Sequence, residues 1–321
     1  MRIGLLSYSN RHSGVGVFAW EFLRHLPVSC FFSVPSAKGQ EIWTPGQVQG
    51  WPDPGRLEMF LQAYRPDVLL AIETVFDPSV YEVCRAHAVK TVLVTMLEAW
   101  IEECPDVFLC PTLACYEAVE HESKVYIDLP MEVEAYSFTQ RRQAQRFLHV
   151  RGCGGTDDRR QTQAAVDGFL MANLPGATLT IHTQQPWQPV VTDPRVVVRC
   201  ADLSEPAQVF DGFDVLLQPD AYAGFDRPLL EAMACGMPVI TTDAGPMNEA
   251  VAIDGLVKSY PVDWRRGCPR NVVTAPAVAE ALHRVPSWDV TEISRRCRAL
   301  AESHGWTAAR RQEWLEVLEN S

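Results

Sequence analysis

Short apolar runs alternate along the chain with longer segments of mixed polarity, which predicts strands and helices in turn. The run at 3–8 indicates a buried strand, followed by the glycine-bearing loop "SNRHSGVG" and the helically spaced segment "VFAWEFLRHL". More buried strands, with helical stretches between them, are predicted at "RPDVLLAIE", "KTVLVTML", "DVFLCP" and "KVYIDLP". Residues 35–56, rich in Pro, Gly and Trp, indicate an irregular excursion. The alternation predicts a parallel sheet with crossover helices.

The same pattern starts again after the polar connector "EAYSFTQRRQAQR". A strand at "RFLHV" is followed by a second glycine loop, "RGCGGTDDRRQ", and by a helix, "TQAAVDGFLMANL". Further buried strands are predicted at "ATLTIHT", "RVVVRC", "FDVLLQP" and "MPVITTD", and an amphipathic helix at "HGWTAARRQEWLEVLENS". We therefore expect two Rossmann-like α/β domains at 1–137 and 147–304, a linker at 138–146 and a terminal helix at 305–321.

One acidic residue lies inside an otherwise apolar helix in the segment "GFDRPLLEAMACG", which begins at residue 224. Pro228 is typical of a helix start, and Gly236 lies where the helix should end. A helix that is apolar nearly all round is buried, and a buried carboxylate is costly without a partner. Glu231 is therefore expected to hold a specific group.

Two anion-binding features are predicted around this helix. The loop "PDAYAGFD" precedes it and would direct backbone amides outward at the helix N-terminus. A second helix is expected to begin at Pro246, after the turn at Gly245, and to contain Glu249. Two helix N-termini at the ends of neighbouring strands would form a crevice suited to a diphosphate and a sugar.

Residues 219–251 resemble, without gaps, the donor-binding signature of the retaining glycosyltransferases of the GT-B fold, which have two facing Rossmann-like domains. Weaker similarities lie in "HSGVG", in "FLHVRGCGG" and in the helix that follows Trp306. The resemblance implies an N-terminal acceptor domain, a C-terminal nucleotide-sugar donor domain and a donor site in the cleft between them. It also implies that the terminal helix crosses back to the first domain.

The resemblance implies that Glu231 accepts hydrogen bonds from the ribose hydroxyls of the donor, and a diol suits the two oxygens of a carboxylate. The alternative is that Glu231 caps its helix or pairs with a nearby arginine. Arginines of the second glycine loop would neutralise the diphosphate in place of a metal; otherwise they are solvated surface residues. The further donor-binding residues implied are Gly14, Val15, Gly16, Arg151, Arg159, Arg160, Gly224, Phe225, Asp226 and Gly245.

The chain departs from the family pattern at two places. Ala223 stands where the family has the first of two glutamates, and Asp226 or Asp220 are the candidate replacements. In the first domain, the family often carries a histidine where this chain reads Met-Leu-Glu at 96–98. The candidate catalytic residues are therefore Glu98 and Asp226, and the candidates on the acceptor side are His12, Glu73 and Trp100.

Composition narrows the class of protein. Twenty-eight basic and 40 acidic residues give a net charge of −12, which does not favour long-range attraction to nucleic acid or anionic lipid. Ten cysteines without a CxxC pair show no metal-binding pattern and indicate reduced thiols in the cytoplasm. The apolar run at the N-terminus is too short for a signal peptide or a membrane span.

These observations together predict a retaining, metal-independent hexosyltransferase. It would move a sugar from a UDP- or GDP-sugar, used as co-substrate with no permanently bound cofactor, to an acceptor hydroxyl. The acceptor is open: a small molecule, glycan, lipid, protein or modified nucleic-acid base. Ala223 and the missing histidine suggest the alternative of a non-catalytic protein that binds a nucleotide sugar or a partner on the same fold. A sugar-nucleotide epimerase is the third hypothesis. A dehydrogenase is poorly supported, because "GVG" lacks the third glycine of that fingerprint.

Overall fold

A computed structural model of the chain describes residues 1–36, 39–99, 104–153, 158–203, 205–251, 255–265 and 268–320. The chain divides into two compact units. The first unit comprises 1–132 together with 305–321, and the second unit comprises 133–304.

Strands and helices alternate through both units. The described strands are β1 (Ile3–Tyr8), β2 (Val28–Val34), β3 (Gln47–Gln49), β4 (Val68–Glu73), β5 (Lys90–Thr95), β6 (Val107–Cys110), β7 (Lys124–Tyr126), β8 (Arg146–Gly152), β9 (Thr178–Thr183), β10 (Val196–Cys200), β11 (Val215–Gln218), β12 (Val239–Thr242), β13 (Leu256–Val257), β14 (Ser259–Arg265) and β15 (Cys268–Val273). The described α-helices are α1 (Gly14–His25), α2 (Pro54–Tyr64), α3 (Ser79–Ala86), α4 (Leu113–Ala118), α5 (Thr162–Ala172), α6 (Arg227–Ala234), α7 (Ala275–His283), α8 (Val290–Ser303) and α9 (Ala308–Asn320).

Each unit contains one parallel sheet, and the two sheets repeat the same strand order. The first has the order β3-β2-β1-β4-β5-β6-β7, and the second has β10-β9-β8-β11-β12-β13. In both, the order reverses beside the first strand of the unit, which is the Rossmann arrangement. Ligands of such sheets bind beyond the C-terminal ends of the strands at this reversal. The chain therefore has the two-unit α/β organisation of the GT-B fold, as the resemblance predicted.

Most strands form where apolar runs predict them. In β4 every residue from Val68 to Ile72 is buried, because helices cover both faces of the sheet. In α9, Trp314 is buried against Phe22 of α1, with ring centres 4.9 Å apart. The Trp314 indole donates to the Asp128 carbonyl oxygen at 3.1 Å, which ties the terminal helix into the first unit.

Three predictions of local structure were wrong. Helix α1 begins at Gly14, with the Ser13 hydroxyl as its N-cap, so Gly14, Val15 and Gly16 form a helical turn rather than a loop. The excursion at 35–56 contains β3 and the first turn of α2. Residues 245–250 form turns instead of a second helix, with Asn248 N bonded to the Ala244 carbonyl oxygen at 3.2 Å and Glu249 N to the Pro246 carbonyl oxygen at 3.1 Å.

An antiparallel hairpin, β14–β15, was not foreseen from the sequence. It follows β13 and leads into α7, outside both parallel sheets. Five consecutive residues of β14, 260–264, are exposed, so the strand lacks the buried run by which the other strands were recognised. None of the helices in the described ranges is long and apolar enough to cross a membrane.

Candidate functional site

Helix α6 carries Glu231, the acidic residue of the apolar segment. The helix is buried from Arg227 to Ala234, as predicted, and only Pro228 is partly exposed. Two donors converge on one oxygen of Glu231. The Tyr136 hydroxyl and the Arg227 Nε each donate to Glu231 Oε1 at 2.7 Å. The carboxylate thus has an ion-pair partner one turn earlier on its own helix and a neutral donor from outside it.

Tyr136 remains protonated in this arrangement. Burial, and after it the negative charge of Glu231, hold the pKa of Tyr136 well above its usual range. The phenol therefore keeps its proton at neutral pH and donates it to the carboxylate. Its hydrogen bond fixes the orientation of the Glu231 carboxylate independently of the charge on Arg227.

Arg298 of α8 binds the C-terminal end of α6. Its Nη1 donates to the carbonyl oxygens of Ala234 at 2.9 Å and of Tyr136 at 3.0 Å. Ala234 is the last residue of α6, where carbonyl groups lack partners within the helix. One guanidinium therefore joins the end of α6 to the segment that carries Tyr136.

The loop between β11 and α6, residues 219–226, is held by hydrogen bonds to the strand ends beside it. Gln218 Nε2 donates to the Val150 carbonyl oxygen at 3.1 Å and to Asp220 Oδ1 at 2.7 Å. The Thr242 hydroxyl donates to the Asp220 carbonyl oxygen at 2.6 Å, and Asn271 N donates to the Ala221 carbonyl oxygen at 2.8 Å. These bonds order the loop before any ligand arrives.

A buried ion cluster lies beneath the same loop. Arg160 Nη1 forms salt bridges with Asp220 and with Asp226, the latter at 3.0 Å. Both carboxylates are fully buried, and Asp226 has a left-handed backbone with φ 55° immediately before α6. The two aspartates considered as replacements for the missing glutamate are therefore joined to Arg160 beneath the loop. Ala223 itself is buried.

The other two candidate arginines lie near the C-terminal end of β8 and in the turn before α5. Arg151 lies within β8, one residue before its end, and its Nη1 donates to the Thr183 hydroxyl at 3.2 Å. Its guanidinium lies 5.8 Å from the ring centre of Trp187. Arg159 accepts a hydrogen bond from Ala221 N at its carbonyl oxygen, at 2.7 Å, and its side chain lies 5.9 Å from the Tyr222 ring centre.

The remaining motif residues of the second unit surround α6 and β12. Gly224 is buried and Phe225 is half-buried, both directly before the helix. Gly245 follows β12 and is half-buried. Because β11 and β12 are neighbours in the sheet, the structure brings these residues to one edge.

In the first unit, the glycines lie where β1 ends and α1 begins. A Cβ on Gly16 would lie 1.7 Å from the Asn10 carbonyl oxygen, so only glycine fits there. A Cβ on Gly14 would meet nothing within 4 Å. Gly16 is therefore required by packing, whereas Gly14 is exposed and sterically unconstrained.

The acceptor-side candidates lie at the same edge of the first sheet. Glu73 is the last residue of β4 and has φ 72°, and Glu98 lies in a short 3₁₀ turn after β5. Both are half-buried, and His12 is exposed in the turn before α1. Trp100 lies outside the described residues. Within the described ranges, no group of three or more His, Cys, Asp and Glu side chains is placed to hold a metal.

The sequence interpretation named none of Tyr136, Arg227 and Arg298. Its alternative, that Glu231 pairs with a nearby arginine, is confirmed by Arg227. Arg227 had a signal, because it lies four residues before Glu231 on a predicted helix, the spacing at which opposite charges meet. Tyr136 lies 95 residues from Glu231 and Arg298 lies 64 residues from Ala234, and no local pattern connects residues so far apart.

Part of this arrangement lies in a segment that is similar to a known family. Residues 170–282 match the model of a family described as "Glycosyl transferases group 1". The match spans 113 of the 321 residues of the chain. The match begins in α5, includes all of α6 and ends in α7, so the Glu231 helix and the preceding loop lie inside it. A comparison with curated protein sequences gives no significant match.

Several solved structures resemble this chain over its whole length. Sucrose-phosphate synthase from Thermosynechococcus elongatus has a TM-score of 0.74 and 13% identity, over 100% of this chain and 98% of that one. HepE from Anabaena, solved with UDP and glucose, has a TM-score of 0.70 and 13% identity over the whole of both chains. The lipopolysaccharide outer core galactosyltransferase WaaB, in its apo form, has a TM-score of 0.67 and 15% identity, over 100% of this chain and 99% of that one. At these identities the similarity establishes the fold.

Proposed function

We propose that the protein is a retaining glycosyltransferase that uses a nucleotide-diphosphate sugar and needs no metal. The observation that carries the proposal is the Glu231 carboxylate, which lies inside the segment that matches the family model and is held on one oxygen by Tyr136 and Arg227. A carboxylate oriented this firmly is suited to a ligand with two adjacent hydroxyls.

The ribose of the donor is the proposed partner of Glu231. Both protein donors bind Oε1, and we assign the second oxygen of the carboxylate to the ribose diol. The hydrogen bond between a hydroxyl and a charged group contributes about 1.5–3 kcal/mol. Fixing the carboxylate in advance reduces the entropy lost when the ribose binds.

The diphosphate is proposed to lie against Arg151, Arg159 and the backbone of Gly224 and Phe225. Arg160 has a different part in this proposal, because its guanidinium is engaged with two buried aspartates. Arg160 would position the loop between β11 and α6. Asp226 would also position this loop instead of acting catalytically.

The chemical step needs few protein groups. The bond between the anomeric carbon and the diphosphate oxygen breaks, and the acceptor oxygen bonds to that carbon from the same face. The acceptor proton passes to an oxygen of the leaving diphosphate. Arginine side chains and backbone amides stabilise the charge that develops on this diphosphate, which is the part a metal would otherwise take.

A UDP- or GDP-sugar is the proposed donor, and the similar fold of HepE, whose structure contains UDP and glucose, supports this class. For the acceptor side we propose Glu98, which follows β5, and Glu73, which is the last residue of the neighbouring strand β4. We assign Glu98, in the 3₁₀ turn after β5, to orient the acceptor hydroxyl. His12, which lies just before the first turn of α1, is the further candidate on this side.

The test is binding and turnover with a panel of UDP, GDP, ADP, dTDP and their common sugars. Calorimetry on wild type should identify one base, and Glu231→Ala should bind that nucleotide roughly 10- to 100-fold more weakly, by the energy of a charged hydrogen bond. Glu280→Ala, at an exposed position of α7, is the matched control and should bind normally. A folded Glu231→Ala protein with unchanged affinity would refute the ribose assignment.

Turnover tests the reaction itself. NMR of the product formed from the identified donor should show the anomeric configuration retained, in buffer containing a chelator. Inversion, or an absolute requirement for added divalent metal, would contradict the proposed route.

A second candidate function is a non-catalytic protein that binds a nucleotide sugar. The favouring observation is that Ala223 is buried where the family has a glutamate, while Asp220 and Asp226 are both joined to Arg160. No carboxylate of this loop then replaces the missing group. Binding of a nucleotide sugar with no hydrolysis or transfer at high enzyme concentration would favour this candidate.

A further inference from the structure

Three aromatic side chains lie in a row at the C-terminal edge of the first sheet. Tyr8 is the last residue of β1, Phe76 lies in the loop after β4, and Trp51 follows the edge strand β3. The ring centre of Phe76 lies 5.0 Å from that of Tyr8 and 6.3 Å from that of Trp51. The rings meet at 78° and 74°, so both contacts are edge to face. We call Tyr8, Phe76 and Trp51 the aromatic row.

Trp51 is held in one orientation although its side chain is 46% exposed. Its Nε1 donates to Asp77 Oδ2 at 3.2 Å. Asp77 Oδ1 in turn accepts from the Ser79 hydroxyl at 2.7 Å and from the Ser79 amide at 3.0 Å. These two bonds to Ser79 hold the pKa of Asp77 below its usual range, so the carboxylate that orients the indole is charged. A ligand that stacks on Trp51 therefore meets a ring that is already ordered, which reduces the entropy lost on binding.

The loop after β4 adopts an unfavourable backbone to bring Phe76 into the row. Glu73 has φ 72° and Phe76 has φ 68°, both in the left-handed region that favours glycine. Phe76 N donates to the Thr74 hydroxyl oxygen at 3.1 Å, which stabilises this turn. Backbone strain of this kind is found mainly at sites that bind or transform a ligand. The loop is therefore shaped for the position of the Phe76 ring at the end of the sheet.

Glu73 adds a carboxylate beside the Tyr8 end of the row. Burial, and after it the negative charge of Glu73, raise the pKa of Tyr8, so the phenol keeps its proton. A phenol can donate and accept, and a carboxylate accepts, so both groups suit ligand hydroxyls. In the sheet, β3 and β4 are separated by β2 and β1, and at ~4.8 Å per strand their ends lie about 14 Å apart. The distance from Trp51 to Glu73 is thus longer than one sugar ring needs.

We propose that the aromatic row binds a neutral oligosaccharide, which is the acceptor if the proposed transferase function holds. One face of a pyranose ring carries only C–H groups, and these pack on the electron-rich face of an indole such as Trp51. The hydroxyls at the edge of a sugar ring suit Tyr8 and Glu73. The length of the row favours two or more sugar units, with Trp51 contacting the unit farther from β4.

Other acceptor classes fit the row less well. Glu73 and Asp77 place two carboxylates along it, and their negative charge disfavours a phosphorylated or carboxylated acceptor. A nucleic acid is disfavoured further by the net charge of −12. An acyl chain would cover Tyr8 and Glu73 without satisfying their hydrogen bonds. A neutral saccharide satisfies the rings and the polar groups together.

The test is saturation-transfer NMR and calorimetry of the full chain, without nucleotide, against neutral trisaccharides of glucose, mannose, galactose and N-acetylglucosamine. The matching methyl glycosides and glucose 6-phosphate are the comparison ligands. One trisaccharide should bind roughly three- to tenfold more tightly than its methyl glycoside, because it makes one more stacking contact. Trp51→Leu should weaken that trisaccharide by roughly the same factor. Trp51→Tyr keeps an aromatic ring and should retain most of the affinity.

Trp264→Leu is the matched control, because Trp264 is an exposed tryptophan on β14 of the second unit. It should bind the trisaccharide as wild type does. The proposal is overturned if no trisaccharide binds, if Trp51→Leu binds like wild type, or if glucose 6-phosphate binds more tightly than every neutral ligand.

Nucleotide binding, measured separately on the same proteins, distinguishes this inference from the proposed function. Trp51→Leu should bind the donor nucleotide as wild type does, because Trp51 is no part of the proposed donor site. Trisaccharide binding without nucleotide binding would refute the transferase and leave the aromatic row as a saccharide site. Nucleotide binding without trisaccharide binding would refute the saccharide site alone.

Discussion

In the first unit, the chain leaves β1 and enters α1 within five residues, and the crossing depends on Gly16 packed against the Asn10 carbonyl oxygen. In the second unit, the chain leaves β11 and takes eight residues to reach α6, over a buried cluster of Arg160 with two aspartates. Both turns follow strands beside the reversal of strand order. The comparison teaches that a turn beside the reversal of strand order is held in one unit by steric fit and in the other by charge.

The largest predicted loss of stability comes from adding a Cβ at Gly16. Gly16→Ala places a Cβ 1.7 Å from the Asn10 carbonyl oxygen, and backbone atoms must move to admit it. We expect a loss of more than ~4 kcal/mol in unfolding free energy, at the extreme of single substitutions. Gly14→Ala is the control: its Cβ meets nothing within 4 Å, and alanine favours a helix by up to ~1 kcal/mol. Equal Tm values for the two variants would show that the close approach is not rigid.

Removing one buried charge tests the second turn. Asp220→Asn leaves Arg160 with one carboxylate fewer in a buried cluster, and we expect a loss of about 3–5 kcal/mol. Asp263→Asn breaks an exposed pair with Arg270 in the same unit and should cost at most ~1 kcal/mol. Denaturant unfolding of the two variants measures the contrast, and similar losses would contradict the account of the cluster.

The strand next to this cluster predicts a dependence on pH. His149 of β8 is buried between the Leu217 carbonyl oxygen and the Thr162 hydroxyl, and burial lowers its pKa to about 4. The unfolded chain binds the proton near pH 6.5, so stability is full above that pH and is lost as pH falls toward 4. We expect a decline of about 3 kcal/mol from this group.

The measurement is the unfolding free energy of wild type and His149→Asn between pH 4 and pH 7. The wild-type curve should fall more steeply with acid than the variant curve. Parallel curves would show that His149 is not held neutral.

The smallest effect concerns the Glu231 arrangement. Tyr136→Phe removes one of two donors to the carboxylate but leaves Arg227, so stability should fall by only about 1–2 kcal/mol. The nucleotide affinity should fall as well, because the carboxylate is less firmly oriented. Tyr64→Phe, on α2 of the first unit, is the control and should leave the nucleotide affinity unchanged. A stability loss with unchanged affinity would separate Tyr136 from the proposed site.

Much of the fold could be predicted because parallel strands covered on both faces are apolar throughout. That signal placed β1, β4, β5 and β11, and Pro228 with Gly236 placed the ends of α6. The apolar signal failed for β14, because residues of that strand are exposed. The helix-start signal failed at Pro246, which is followed only by turns.

The candidate site was predictable only in part, for a physical reason. Local patterns placed Glu231 in a buried helix, and the spacing of Arg227 was available on the same helix. The pairing of Arg160 with Asp226 joins residues 66 positions apart, and the Tyr136 bond to Glu231 spans 95. Such contacts depend on tertiary packing, which hydrophobic periodicity does not encode.

The measurement that tests the central claim most directly is a comparison of two nucleotides on two proteins by calorimetry. The nucleoside diphosphate that binds best and its 2′,3′-dideoxy analogue are titrated into wild type and into Glu231→Gln. The account predicts that wild type prefers the ribonucleotide by about 1.5–3 kcal/mol and that Glu231→Gln largely loses this preference. An equal preference in both proteins, or none in wild type, would contradict the assignment of the Glu231 carboxylate to the ribose.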